Sequence, residues 1–222
     1  MLVFGHSGYP VILFPTSKGR YYENKDFGLI ESARYFLDEG KIKIYCPDGF
    51  DSDSWYNYSI HPADRVRSHE AYERMILKDV IDFARYETGH NNVGLAGCSF
   101  GGYHAANLAF RHPEIVGYMF SMGGTFNIKP YIYGYYDDEC YFNNPVDYLP
   151  NLNDPWFFDN LKWMEIIFGT GSDDICLSDN VQISRILSDK NIGHWLDVRK
   201  GFGHDWNYWK EMFPQYLSKI VV

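Results

Sequence analysis

Along this chain, short apolar runs rich in β-formers alternate with longer stretches whose apolar positions recur at three- and four-residue steps. That alternation predicts a mostly parallel sheet covered by helices, an α/β architecture. Residues 10–15 (PVILFP) read as a buried strand closed at both ends by proline. Asp26 can then cap a helix running through Leu29, Ile30, Ala33, Phe36 and Leu37 and ended by Gly40. Residues 42–46 form the next expected strand, stopped by Pro47-Asp48-Gly49. A long helix is expected over 62–86, with Tyr72, Met75, Ile76, Val80 and Phe83 on one face. Pro62 suits its start, because the first helical N–H has no partner anyway. Further strands are expected at 93–96, 115–121, 163–168 and 195–198. Helices are expected at 102–111 and in the final segment from Trp206 to Leu217.

The segment 123–160 breaks the rhythm. It is rich in Tyr, Pro, Asn and Asp and is too long for an ordinary connection. It is expected to be a cap-like insertion over a site, within a single domain spanning 1–222. There are no internal repeats and no low-complexity tracts.

The strongest motif is Gly97-Cys98-Ser99-Phe100-Gly101, a G-x-S-x-G placed between an expected strand and an expected helix. That context suits a nucleophile elbow, a sharp strand-to-helix turn that presents a serine in a strained backbone conformation. Cys98 is a rival nucleophile by chemistry. Only the central residue of such a turn is presented, however, so Cys98 is expected to pack beneath it. A neutral serine needs a base. In enzymes built on this turn the order along the chain is serine, acid, histidine. Among the histidines after Ser99, His104 and His112 come too early, and His194 stands at the wrong end of a strand. His204, in the loop Gly201-Phe202-Gly203-His204 after the last strand, is the expected base. Asp173 and Asp174 both follow the preceding strand, and either can hold the imidazole in the required tautomer. The oxyanion is expected to meet the backbone N–H of Phe100 and that of Ser17, in the loop after the first long strand.

Composition adds limits rather than chemistry. A net charge of -9 with no basic run argues against nucleic acid or an anionic membrane as partner. The four cysteines show no C-x-x-C spacing, so no structural zinc site or redox pair is expected. No signal peptide opens the chain and no apolar run is long enough to span a bilayer, so a reducing cytoplasm is the expectation. The aromatic share of 18% allows either a well-filled core or a lined pocket. Tyr131, Tyr133 and Tyr136 are candidate substrate-binding residues. Arg65, Arg67 and His69, on the long helix, have two readings, reaching the site or standing on a solvated helix face, and the solvated face is the expectation. A homo-oligomer is left open.

The stretches VFGHSGYPVILFPTSKGRYYE, DSDSWYN, HPADRVRSHEAYE, GCSFGGYHAANLAFRHPE, YFNNPVDYLPNL, DDICLSDN and GHDWNYW run through nearly the whole chain. On these the chain resembles the “putative esterase” family of the α/β-hydrolase superfamily, which includes esterase D-like enzymes and mycolyltransferase-type relatives. The resemblance implies the α/β-hydrolase fold, favours Asp174 over Asp173 as the acid through the segment Asp174-Ile175-Cys176-Leu177, and matches His204 in GHDW. Members usually begin with a further strand or so before LVFGHSGYP; either this start is truncated or the sheet is shorter at that edge. The leading expectation is a serine esterase acting on small carboxylic esters through an acyl-enzyme, without metal or organic cofactor. The alternatives are acyl transfer or thioester hydrolysis by the same residues, and a binding protein on a hydrolase scaffold.

Overall fold

A computed structural model of the chain describes residues 1–220. Seven strands form one sheet: β1 (Leu2–Phe4), β2 (Tyr9–Phe14), β3 (Ile42–Cys46), β4 (Val93–Cys98), β5 (Val116–Met122), β6 (Glu165–Gly171) and β7 (Trp195–Arg199). Their order across the sheet is β1-β3-β2-β4-β5-β6-β7. All neighbours are parallel except β1, which pairs antiparallel with β3 from Leu2↔Cys46 to Phe4↔Ile44. This is the α/β-hydrolase architecture, with the expected mostly parallel sheet. The edge strand β1 is too short to leave a clear period-two signature and went unread in the sequence.

The central strands β2 and β4 read as unbroken apolar runs because both faces of the sheet are covered there. Successive side chains point to opposite faces. Ile12 and Phe14 of β2 therefore join Leu95, Met119, Ile166 and Phe168 in one core. Val11 and Leu13 join Ile44, Ala96, Phe120 and Ile167 in the other. Phe120 is fully buried; truncating such a side chain to alanine costs roughly 3–5 kcal/mol.

The helices differ from the sequence reading in instructive ways. The single helix expected after Asp26 is three short ones, α1 (Glu23–Asp26), α2 (Leu29–Ser32) and α3 (Arg34–Asp38). The first break falls at Gly28, whose φ of 82° is left-handed and cannot continue a helix, and the second at Ala33, which leaves the helical region with ψ 2°. The long helix is present as α4 (Pro62–Met75), a π-helical turn at Ile76–Ile81, and α5 (Asp82–Thr88), with His61 capping its first turn. The strand expected from 163 starts at Glu165, and Trp163 lies outside it, 81% exposed.

After the elbow comes α6 (Phe100–Arg111), buried along nearly its whole length. The region 123–160 carries α7 (Asp138–Phe142), α8 (Pro145–Asn151) and α9 (Pro155–Leu161). It packs through Ile128, Ile132 and Cys140 against Trp55, Val66, Phe100 and Tyr103. Asn143 fastens it further: Asn107 and Arg111 of α6 donate to its Oδ1 at 3.0 and 2.6 Å. The last two helices are α10 (Leu177–Asp189) and α11 (Trp206–Leu217). Among the described residues no helix is long and apolar enough to cross a membrane.

Candidate active site

Parallel strands direct their carboxyl ends to one edge of the sheet, where such folds place their ligands. Here β4 delivers Ser99, the β6 loop delivers Asp174, and the β7 loop delivers His204. Ser99 stands between β4 and α6 with φ 54° and ψ −124°. A non-glycine residue held there carries strain on the order of 1–3 kcal/mol. Two close approaches show why glycines flank it. A Cβ on Gly97 would lie 2.3 Å from the carbonyl of Gly101, and one on Gly101 would lie 2.5 Å from the carbonyl oxygen of Pro15. The turn is pinned by its own backbone: Ser99 N–H donates to Met122 O at 2.9 Å, and Gly102 N–H to Ser99 O at 2.9 Å. Cys98 is fully buried beneath, and burial pushes its thiol well up, away from the reactive thiolate.

Ser99 Oγ lies 3.0 Å from His204 Nε2, and His204 Nδ1 lies 2.8 Å from Asp174 Oδ1. The chain of three side chains is continuous, spanning residues far apart in sequence. His204 is held from several sides. Its ring meets Trp209 edge-on at 4.9 Å, and Asp205 caps α11 by accepting from Asn207 N–H at 2.9 Å. The two loops are stitched together by Asp173 N–H donating to Phe202 O at 3.0 Å and Ser172 N–H to Arg199 O at 2.9 Å. The Asp174 side chain is almost completely covered, whereas His204 keeps 18% exposure toward the site. Burial alone would raise the Asp174 carboxyl. The hydrogen bonds from His204 and from Cys176 N–H outweigh it and hold the group below the usual carboxylate range.

The structure separates the two aspartates that the sequence left side by side. Asp173 is exposed and its carboxylate accepts from Ser172 Oγ at 2.9 Å, with no contact to His204. The other histidines are engaged elsewhere: His194 bonds Ser184 Oγ and Ile192 O, and His112 faces Glu73. Asp174, Cys176 and His204 also bring three metal-ligand atoms within 4.8 Å of one another. The Nδ1 of His204 is already committed to Asp174, so these groups fit a hydrogen-bonded pair better than a metal centre.

Neither Ser17 N–H nor Phe100 N–H has a hydrogen-bond acceptor among the described residues. Ser17 Oγ bonds Tyr56 OH at 2.9 Å, and Tyr56 OH bonds Tyr131 OH at 3.1 Å. The Tyr56 and Tyr131 rings stand edge-on to Phe100 at 5.3 and 5.2 Å. Tyr56 escaped the sequence reading; its place in DSDSWYN, beside a turn, gave no periodicity to notice. Of the three tyrosines singled out, the structure brings only Tyr131 to this cluster. Tyr133 is largely exposed and packs on Tyr58 at 5.6 Å. Tyr136 turns aside, and its hydroxyl donates to Asp147.

Two residues expected on a solvated helix face are in fact buried. Arg65 donates to Tyr131 O at 2.6 Å and to Ile60 O, under the rings of Tyr58 and Tyr133 at 5.1 and 5.2 Å. His69 is enclosed against Trp55, with its Nε2–H donating to Asn143 Oδ1 at 3.1 Å. The cause is tertiary: region 123–160 lies over this side of α4. Arg67 alone is solvated, paired with Asp64.

Solved structures of the same fold include an S-formylglutathione hydrolase from Agrobacterium tumefaciens, 12% identical, with a TM-score of 0.73 over 97% of this chain and 86% of that one. An S-formylglutathione hydrolase from Staphylococcus aureus is 15% identical, with a TM-score of 0.66 over 96% and 83%. A ferulic acid esterase from Anaeromyces mucronatus, solved with ferulic acid, is 13% identical, with a TM-score of 0.67 over 96% and 79%. No curated protein matches the sequence. The family described as “Putative esterase” matches residues 7–220, nearly the whole chain. On that match, and on the sheet and its helices, the protein belongs to this esterase family and is an ester hydrolase of the α/β-hydrolase fold.

Proposed function

We propose that the protein hydrolyses small carboxylic esters through an acyl-enzyme on Ser99. The observation that carries this reading is the unbroken contact from Ser99 Oγ through His204 to Asp174, at 3.0 and 2.8 Å, on a strained elbow. Ser99 Oγ attacks the ester carbonyl as His204 Nε2 takes its proton. The tetrahedral oxyanion meets the N–H groups of Phe100 and Ser17. Collapse expels the alcohol, which receives the proton from His204. Water then repeats the sequence on the acyl-enzyme, and Ser99 regains its proton as the acid leaves. Asp174 stays ionised throughout and stabilises the imidazolium. The reaction as written uses only these side chains and water. The cap-like region 123–160 supplies a wall through Tyr131, and the aromatic surface of Tyr56, Tyr131 and Phe100 suits a flat or apolar acyl group.

The likeness to S-formylglutathione hydrolases supports a second substrate class, thioesters, cleaved by the same residues; acyl transfer would need an acceptor that outcompetes water. The net charge of -9, with no basic run, favours a small-molecule partner over nucleic acid. The test is hydrolysis of p-nitrophenyl acetate together with fluorophosphonate labelling. Ser99→Ala is expected to abolish both, with a rate loss of about 10⁵-fold or more. Undiminished hydrolysis by folded Ser99→Ala would sink the mechanism.

A further inference from the structure

A second histidine–aspartate pair lies behind the elbow, and the esterase mechanism as written does not use it. His104 Nε2 lies 2.8 Å from Asp51 Oδ1, with side chains only 5% and 2% exposed. Burying a carboxylate is costly unless its oxygens are bonded, and both oxygens of Asp51 are engaged. The second, Oδ2, accepts from Lys18 N–H at 3.2 Å. Lys18 follows Ser17 and sits at φ 57°, a left-handed conformation that a lysine adopts only when held there.

The other side of Ser17 is held as well. Glu23 accepts from Thr16 N–H at 2.8 Å and from Thr16 Oγ1 at 3.0 Å. Ser17 N–H is thus left free between two neighbours whose amides are each bound to a carboxylate. The His104 ring is stacked on Phe14, the last residue of β2, at 5.6 Å, and meets Phe100 edge-on at 5.3 Å. It therefore touches both chain segments that carry an oxyanion donor. Asp51 O also accepts from Tyr56 N–H at 2.9 Å, which places the tyrosine bonded to Ser17 Oγ.

Resting on the esterase reading above, we propose that Asp51 is a positioning residue. Bridging His104 on the elbow helix to Lys18 N–H, it locks the loop of Ser17 so that its free amide stays in register with that of Phe100. Donors fixed before charge develops need no reorganisation at the moment of reaction. A loosened loop therefore slows the chemical step and leaves substrate binding nearly as it was.

The experiment measures kcat and KM for p-nitrophenyl acetate, the fluorophosphonate labelling rate and the melting temperature, in wild type, Asp51→Ala, Asp51→Asn and Glu23→Ala. Losing one oxyanion donor outright costs about 10²–10³ in kcat, so a loosened one in folded Asp51→Ala is expected to cost about 10–100-fold, with KM within about threefold. Asp51→Asn is expected to recover most of that loss. With the proton of His104 on Nδ1, the asparagine amide donates to Nε2 while its oxygen accepts from Lys18 N–H. If Asp51→Ala does not fold, the half-buried Glu23 gives the second reading: Glu23→Ala is expected to lower kcat about tenfold at constant KM. A folded Asp51→Ala or Glu23→Ala that keeps kcat within about threefold, or that changes KM alone, overturns the proposal. So does an Asp51→Asn no faster than a folded Asp51→Ala. A wild type that is not labelled at Ser99 overturns the esterase reading itself, whereas a labelled wild type with an equally fast Asp51→Ala overturns only the positioning role.

Discussion

The molecule contains two histidine–aspartate pairs with the same 2.8 Å contact and different surroundings. In one, His204 stands on a loop and turns its free nitrogen to Ser99 Oγ at 3.0 Å. In the other, His104 lies inside a helix between Phe14 and Phe100 and faces no reacting hydroxyl. The comparison teaches that the pair alone does not make a proton shuttle. What matters is what the second ring nitrogen meets and whether a ligand can reach it. A pair with an accessible hydroxyl can move a proton; a pair sealed in aromatic rings can only hold its neighbours in place.

The sharpest test of that difference is the acid at each pair. Asp174→Asn is expected to lower kcat about 10⁴-fold, because the amide favours the wrong tautomer of His204. Asp173→Asn, on the exposed neighbour, is expected to stay within about twofold, since surface substitutions away from such contacts are nearly neutral. Steady-state kinetics on both variants would break the comparison if Asp173 mattered as much as Asp174. A loss for Asp51→Ala equal to that for Asp174→Asn would break it from the other side.

A smaller effect concerns stability. Burial pulls His69 down to about 3, against the opposing pull of Glu73, with His104 and Arg111 also lowering it. An unfolded histidine takes up its proton near pH ~6.5. Below that value the unfolded chain gains a proton that the folded chain refuses, so this contribution is intact above pH 6.5 and is lost as pH falls toward 3. The expected slope reaches about 1.4 kcal/mol per pH unit. Melting temperatures at pH 7 and pH 5 should drop less in His69→Gln than in wild type; equal drops would remove His69 as the cause.

The smallest expected effect is at Cys98. Because the thiol is sealed beneath the elbow and pushed up by burial, Cys98→Ala should keep fluorophosphonate labelling and kcat within about twofold. Its cost is about 1 kcal/mol of stability from the small cavity. Loss of labelling in Cys98→Ala with labelling retained in Ser99→Ala would exchange the roles of the two neighbours.

Much of this was legible in the chain because it depends on local rules. The apolar runs of β2 and β4 announce strands covered on both faces, and Gly97 of the elbow is demanded by Gly101 four residues on, whereas Gly101 itself answers to Pro15 just past β2. The order of serine, acid and histidine follows from which strand ends carry them. Legibility failed where distant segments decide. Polar residues at 65 and 69 look solvated until region 123–160 is laid over them, and nothing in the periodicity of α4 says where that region will go. Gly28 looked like an interior helix residue, because its left-handed φ becomes visible only once the chain has turned.

The sequence by itself determined the parallel strands of the sheet, the turn that strains Ser99 and the strand ends at which partners had to be sought. These depend on side-chain period and on crowding within the turn, such as that of Gly97 against Gly101. The tertiary structure sets Asp174, which the family resemblance already favoured, against His204 and leaves Asp173 outside; it also brings Tyr56 beside Ser17 and joins Asp51 to His104 across 53 positions. Those outcomes depend on burial and on hydrogen-bond distances of about 3 Å between segments that share no local pattern.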